Sequence, residues 1–194
     1  NPSSSYSHFN MLEIKNWSAE GITFLTDVCW SGITSNGCTM NNLNYLNMSW
    51  TLTFDETIAD DFELKSGTIN LNGHTLTVEG NLIHSGGTLN VNGGALIVNG
   101  DYQIQTPGTE EGVYTYSSGI LKMLNAADTV QVDGDFVMDS TKDHDTYLTA
   151  GTMTLKGDFT QKSTYVSYYS NEEENFDTSG THKVILAGST LQTV

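Results

Sequence analysis

The chain has 194 residues, enough for one domain with a sizeable core. Asp and Glu number 23 against 7 cations, a net charge of -16, and all seven are lysines (Lys15, Lys65, Lys122, Lys142, Lys156, Lys162 and Lys183). So acidic a surface repels phosphate backbones and anionic headgroups, and without arginine it lacks the forked donor of most carboxylate and phosphate sites, so nucleic acid and membranes are excluded as expected partners.

Apolar residues recur at strand spacing, and no apolar run is long enough to span a membrane. Residues 1–66 hold strand-like pieces at 9–14, 22–30, 50–54 and 62–64, with an Asn-rich stretch at 41–47. These are expected to form irregular coils. Cys29 and Cys38 lie nine residues apart. In an oxidising compartment they would close a small loop; the alternative is a pair of free thiols.

From residue 67 the chain repeats itself. Gly67-Thr68-Ile69-Asn70-Leu71-Asn72-Gly73 returns twenty residues later as Gly87-Thr88-Leu89-Asn90-Val91-Asn92-Gly93. Leu76 then matches Leu96, Val78 matches Val98, and Gly80-Asn81 matches Gly100-Asp101. The Gly-Asn/Asp-apolar mark recurs at Gly134-Asp135-Phe136 and Gly157-Asp158-Phe159, at steps of 20, 34 and 23 residues. A constant mark with a variable step means insertions at tolerant corners, at 106–118, 138–149 and 160–178. Residues 182–194 return to strand pattern.

Such short strands cannot bury an apolar face alone. Stacked coil on coil at ~4.8 Å they form parallel sheets around a continuous column. The expected fold is therefore all-β, a right-handed parallel β-helix (β-solenoid), with irregular N-terminal coils at 1–66, regular coils at 67–159, and an insertion and final coil at 160–194, all in one domain. Ile69 should lie over Leu89 and Leu71 over Val91. The Asn and Asp positions should form hydrogen-bonded corner ladders, and glycines should supply the corner dihedrals.

The stretches "SGTINLNGHTLTVEGNLIHSGGTLNVNGGALIVNGDYQIQ", "SGTHKVILAGSTLQTV" and "SHFNMLEIKN" resemble the tandem β-solenoid units of large bacterial surface or secreted proteins. The resemblance is densest from Ser66 to Asp158 and weakest at 36–62. It implies an extracellular, cell-surface stalk, adhesin or filament-building unit with neighbouring units before Asn1 and after Val194. Its implied partners are adjoining repeat units of the chain, or other copies met end to end or laterally.

Parallel β-helices also host polysaccharide lyases and hydrolases. The available acids are Asp60, Asp61, Glu63, Asp133, Asp135 and Asp158. A corner that accepts Asn81 as readily as Asp135 reads as a turn position, so no catalytic residue is assigned and an enzyme is not expected. Asp139, Asp143 and Asp145 place hard oxygen donors on one loop, the pattern for an extracellular Ca2+; a solvated charged loop is the competing reading, as it is for Glu172, Glu173, Glu174 and Asp177. No other cofactor is expected. His74 and His84 read as corner or surface residues. Tyr114 and Tyr116 on the first insertion, and Tyr165, Tyr168 and Tyr169 on the last, are flat rings suited to stacking on sugars. The sequence thus points first to a non-catalytic structural or adhesive module, and second to a carbohydrate-binding module.

Overall fold

The step of twenty residues is one circuit through three sheets in the computed structural model, which describes residues 39–40, 45–46, 49–165 and 175–194. Every strand among the described residues is two to four residues long, and none of these residues is helical. The first sheet holds, in spatial order, β1 (Thr39–Met40), β4 (Glu56–Ile58), β7 (Thr75–Val78), β10 (Ala95–Val98), β15 (Thr129–Val132), β17 (Thr152–Leu155) and β19 (Lys183–Leu186). The second holds β2 (Tyr45–Leu46), β5 (Phe62–Leu64), β8 (Leu82–His84), β11 (Tyr102–Ile104), β16 (Phe136–Met138) and β18 (Phe159–Gln161). The third holds β3 (Trp50–Thr51), β6 (Thr68–Asn70), β9 (Thr88–Asn90) and β14 (Ile120–Lys122).

Within these sheets every pairing is parallel and joins a strand to its counterpart one coil away. From β3 to β16 the chain visits third, first and second sheet in fixed order, an arrangement compatible with a parallel β-helix; after β14 the third sheet has no further strand among the described residues. Among the described residues the one antiparallel element is a hairpin of β12 (Thr106–Pro107) and β13 (Tyr114–Thr115), where the first insertion leaves the stack.

The expected layers are observed. Ile69 pairs with Leu89, Leu76 with Leu96, and Val78 with Val98. Alternation turns one residue in two inward, so like side chains form columns. In the first sheet one column runs Leu76, Leu96, Val130 and Met153, all at most 1 % exposed. In the second, Phe62, Leu82, Tyr102, Phe136 and Phe159 stack in register. Phe136 and Phe159 lie face to face at 5.7 Å, and Phe176 packs edge-on against both. Each fully buried Leu or Phe contributes roughly 1.5–3 kcal/mol of transfer free energy, which short isolated strands could not gather.

The three corners use different chemistry. Between third and first sheets, Asn72-Gly73 and Asn92-Gly93 both take left-handed φ (52° and 83°; 45° and 79°). The N–H groups of His74 and Gly94 close these turns onto the carbonyls of Leu71 and Val91, each at 2.9 Å. The Asn70 side chain accepts from the Asn72 N–H and from the Asn92 amide, each at 3.0 Å, so the expected Asn ladder is present here.

Between first and second sheets, each corner side-chain oxygen accepts the backbone N–H of its counterpart in the next coil. Asp61 accepts from Asn81 (2.7 Å), Asn81 from Asp101 (2.9 Å), Asp101 from Asp135 (2.8 Å), Asp135 from Asp158 (2.8 Å) and Asp158 from Thr193 (2.7 Å). The glycines beside them do not supply unusual dihedrals, contrary to expectation. Gly100 and Gly157 lie outside the left-handed region; what they supply is space. A Cβ on either would stand 2.5 Å from the ladder oxygen of Asn81 or Asp135. The positive-φ role falls instead to Gly67 and Gly87, at the corner between second and third sheets, and to the Asn-Gly turns.

Regular pairing also begins earlier than the repeat indicated, because β4, β5 and the Asp61 rung already keep the twenty-residue step. Asp60 stands where later coils have glycine, which hides this coil from a sequence search.

Three outcomes follow at the ladder. Asp135→Asn keeps the accepting oxygen and removes one charge from a line of three adjacent carboxylates, so its urea midpoint should match or exceed wild type. Asp135→Ala should lose about 1 kcal/mol. Gly100→Ala should lose about 1–3 kcal/mol, because the added methyl must displace the Asn81 amide or the Gly80 carbonyl.

Candidate functional site

Two insertions meet on the outside of the stack. The first is shaped by its hairpin: the Gly108 N–H donates to Val113 carbonyl oxygen at 2.7 Å, and Gly112 takes a φ of 76°. Tyr116 follows β13 and is 41 % exposed. Its ring meets that of Tyr165, from the third insertion, edge to face at 4.9 Å and 70°. Tyr114 is half-buried on the hairpin. Tyr168, Tyr169, Cys29 and Cys38 lie outside the described residues.

Asp139, read from sequence as a cation ligand, holds this pair together. Its carboxylate is fully buried and accepts from the Thr164 N–H (3.1 Å), the Thr164 hydroxyl (2.8 Å) and the Gln105 amide (3.3 Å). Its own carbonyl accepts the Ser117 N–H at 2.8 Å. One residue therefore fixes the neighbour of Tyr116 and the neighbour of Tyr165. Asp143 and Asp145 are exposed, and Asp143 accepts the Asp145 N–H at 3.0 Å, a local Asx turn. The loop does not bring the three carboxylates together, and among the described residues no three His, Cys, Asp or Glu side chains converge for a metal.

The other acids are engaged in similar local work. A groove of about 580 Å3 is lined by Asp60, Asp61, Glu63 and Glu79 with Phe62 and Ile83. Asp61 holds its rung, Glu63 accepts from the Ser85 hydroxyl (2.7 Å) beside the Lys65 ammonium (3.2 Å), and Glu79 accepts from the Asn99 amide (2.6 Å). Asp133 pairs with Lys156 at 2.7 Å.

The most perturbed groups are inside. His84, expected at a corner or on the surface, is fully buried in the second-sheet column, paired with Leu64. The Gly87 carbonyl can only accept, so His84 Nε2–H donates to it (3.2 Å), and Nδ1 accepts from the Tyr102 hydroxyl (3.0 Å). His144 is buried too. Its Nδ1–H is shared between the carbonyls of Lys142 (2.9 Å) and Asn175 (3.0 Å), and Nε2 accepts the Leu121 N–H (3.2 Å). The ring thus takes the place of a strand carbonyl beside β14. Both hydrogen-bond patterns require neutral imidazole. Burial lowers His84 from 6.5 to about 4, with the Gly87 carbonyl opposing and nearby His144 adding to the fall. Burial also lowers His144, against the Lys142 and Asn175 carbonyls and Asp143. Burial pushes the Tyr102 phenol up.

Sequence reasoning missed these groups, although the repeat register carried a signal: Leu82-Ile83-His84 alternates, so His84 must share the inward face of Leu82. Asp128 was also missed. It is fully buried and accepts from the N–H groups of Gly93, Leu124 (2.8 Å) and Asn125 (3.0 Å), bracing the corner before β15.

Comparison with protein-family models, curated proteins and solved structures finds no match. What the site can do follows from its own geometry: an aromatic pair of exposed Tyr116 and half-buried Tyr165 on a braced edge, and an interior that holds two neutral imidazoles.

The buried histidines set a pH dependence. An unfolded His binds its proton below about pH 6.5, whereas folded His84 does so near 4. Stability is therefore complete above pH 6.5 and falls as pH drops toward 4, by roughly 3 kcal/mol for His84, with His144 acting in the same direction. Urea unfolding across this range should show the loss. The double variant His84→Phe/Tyr102→Phe, which removes both polar partners, should flatten part of it; an unchanged slope would assign the loss elsewhere.

Proposed function

We propose that the chain is a non-catalytic structural module, a length of right-handed parallel β-helix that serves as spacer or adhesive unit on a bacterial cell surface. The carrying observation is the rung line from Asp61 to Thr193, which passes three insertions without losing register. A stack joined at its core, sheets and corners resists bending, and its surface loops are free to vary. The corner acids that a hydrolase would need are occupied in holding neighbouring coils. The extracellular setting rests on the resemblance to tandem units of bacterial surface proteins and on the acidic, arginine-free composition.

A second reading has its own observation. The Tyr116–Tyr165 pair brings together rings from insertions 49 positions apart, and the buried Asp139 fixes both. Such a platform suits stacking on a neutral sugar face.

Small-angle scattering should give a cross-section constant along the particle, as for a rod. On a glycan array the structural reading expects no signal from wild type. A signal lost in Tyr116→Ala and in Tyr165→Ala would instead establish the carbohydrate-binding reading. Release of reducing ends from pectin, alginate or plant glycans, abolished by one carboxylate variant, would sink both.

A further inference from the structure

In the coil after β14 the place of a third-sheet strand is taken by the second insertion, which bridges to the coil before it at two points, Ser140 to Ser117 and Leu148 to Met123. Between these points one side chain meets the middle of β14. The buried His144 ring accepts the Leu121 N–H on Nε2 (3.2 Å) and donates Nδ1–H to the carbonyls of Lys142 (2.9 Å) and Asn175 (3.0 Å). The ring joins β14, the loop at 140–148 and the third insertion. The loop also folds on this residue, because the N–H groups of Tyr147 and Leu148 donate to the His144 carbonyl at 3.0 and 2.8 Å.

These partners do not accommodate a charged ring. An imidazolium donates from both nitrogens, and a backbone N–H can only donate. Whichever way the ring is turned, a protonated His144 sets an N–H against that of Leu121. His84 differs, because the Tyr102 hydroxyl opposite its Nδ1 can turn and accept. On its own loop His144 meets Asp143, which favours the proton, and the edge of the Tyr147 ring. From the second sheet His84 opposes a second charge. β14 and the third insertion meet the ring through backbone; their charged residues here are Lys122, Lys162, whose carbonyl accepts the Asn175 amide, and the exposed Asp177. No corner rung from Asp61 to Thr193 passes through His144.

We propose that His144 is an acid-released clasp: on protonation the ring leaves the edge of β14, and the loop at 140–148 detaches from β14 and from Asn175 while the coils stay stacked. Burial holds the closed ring below the usual histidine range, and the opened ring returns to it, so opening takes up a proton. Each pH unit below about 6.5 then favours the open form by up to tenfold.

Native-state hydrogen exchange tests this at the Leu121, Tyr147 and Leu148 amides and at the rung amides of Asn81, Asp101 and Asp135, corrected for intrinsic exchange rates. Between pH 6.5 and 5, wild-type Leu121 should lose protection by up to tenfold per pH unit and fall below the rungs. Its opening should be insensitive to low urea, whereas the rungs should exchange through urea-dependent unfolding. His144→Gln keeps an acceptor for Leu121 and carries no proton, so it should show no acid-driven opening of its own there. Its Leu121 amide should either match the rungs or lie equally exposed at both pH values. The double variant His84→Phe/Tyr102→Phe should keep the wild-type response, and with the wild-type profile it decides the outcome even where His144→Gln fails to fold. Leu121 protection that is constant with pH, or that falls only with the rungs and with their urea dependence, would overturn the proposal. So would a wild-type response in His144→Gln, or its loss in the double variant.

Discussion

One hydrogen bond governs this fold: the N–H of a corner residue donated to the side-chain oxygen of its counterpart one coil earlier. Strands of three or four residues have little to set their register, and a slip of one residue would turn every inward side chain outward. The corner bond removes that freedom. It ties Asp61, Asn81, Asp101, Asp135, Asp158 and Thr193 into one line, and the residue after each corner returns a bond: the N–H groups of Leu82, Tyr102, Phe136 and Phe159 donate to the corner carbonyls of Asp101, Asp135, Asp158 and Thr193. The neighbouring glycines follow from this geometry, since the accepting oxygen fills the place of a Cβ.

Insertions are tolerated because each rung involves two coils and nothing between them. The chain spends 34 residues between Asp101 and Asp135, yet their bond is 2.8 Å, within 0.1 Å of the 2.9 Å between Asn81 and Asp101. The extra residues become outer structure with its own bracing. Asp139 and His144 reach from the second insertion to Gln105, Thr164, Leu121 and Asn175, so these excursions are fastened to the stack and to one another.

The regular coils were largely legible in the sequence. The match of Leu76 to Leu96 and Ile69 to Leu89 is the pairing itself, and the exchange of Asn81 for Asp101 already marked a position valued for its acceptor oxygen. What stayed hidden was polar chemistry directed inward. His84 lies on the apolar face because the hydroxyl that satisfies it comes from Tyr102, eighteen residues away in the next coil. Asp128 and Asp139 resemble surface acids until the backbone donors around them are located in space. The coil at 56–64 was obscured by one substitution, Asp60 at a glycine position, although its pairing is as regular as that of later coils.

The direction of the sheets has a mechanical consequence. Because strands pair coil to coil, backbone hydrogen bonds lie along the stacking direction. Tension applied between the chain ends would load them one coil at a time, as a thread leaves a spool. Each coil of about twenty residues stores roughly 70 Å of contour within ~4.8 Å of stack height. A module of this kind is stiff while intact and, under overload, would lengthen in discrete steps set by the distances between successive corner rungs.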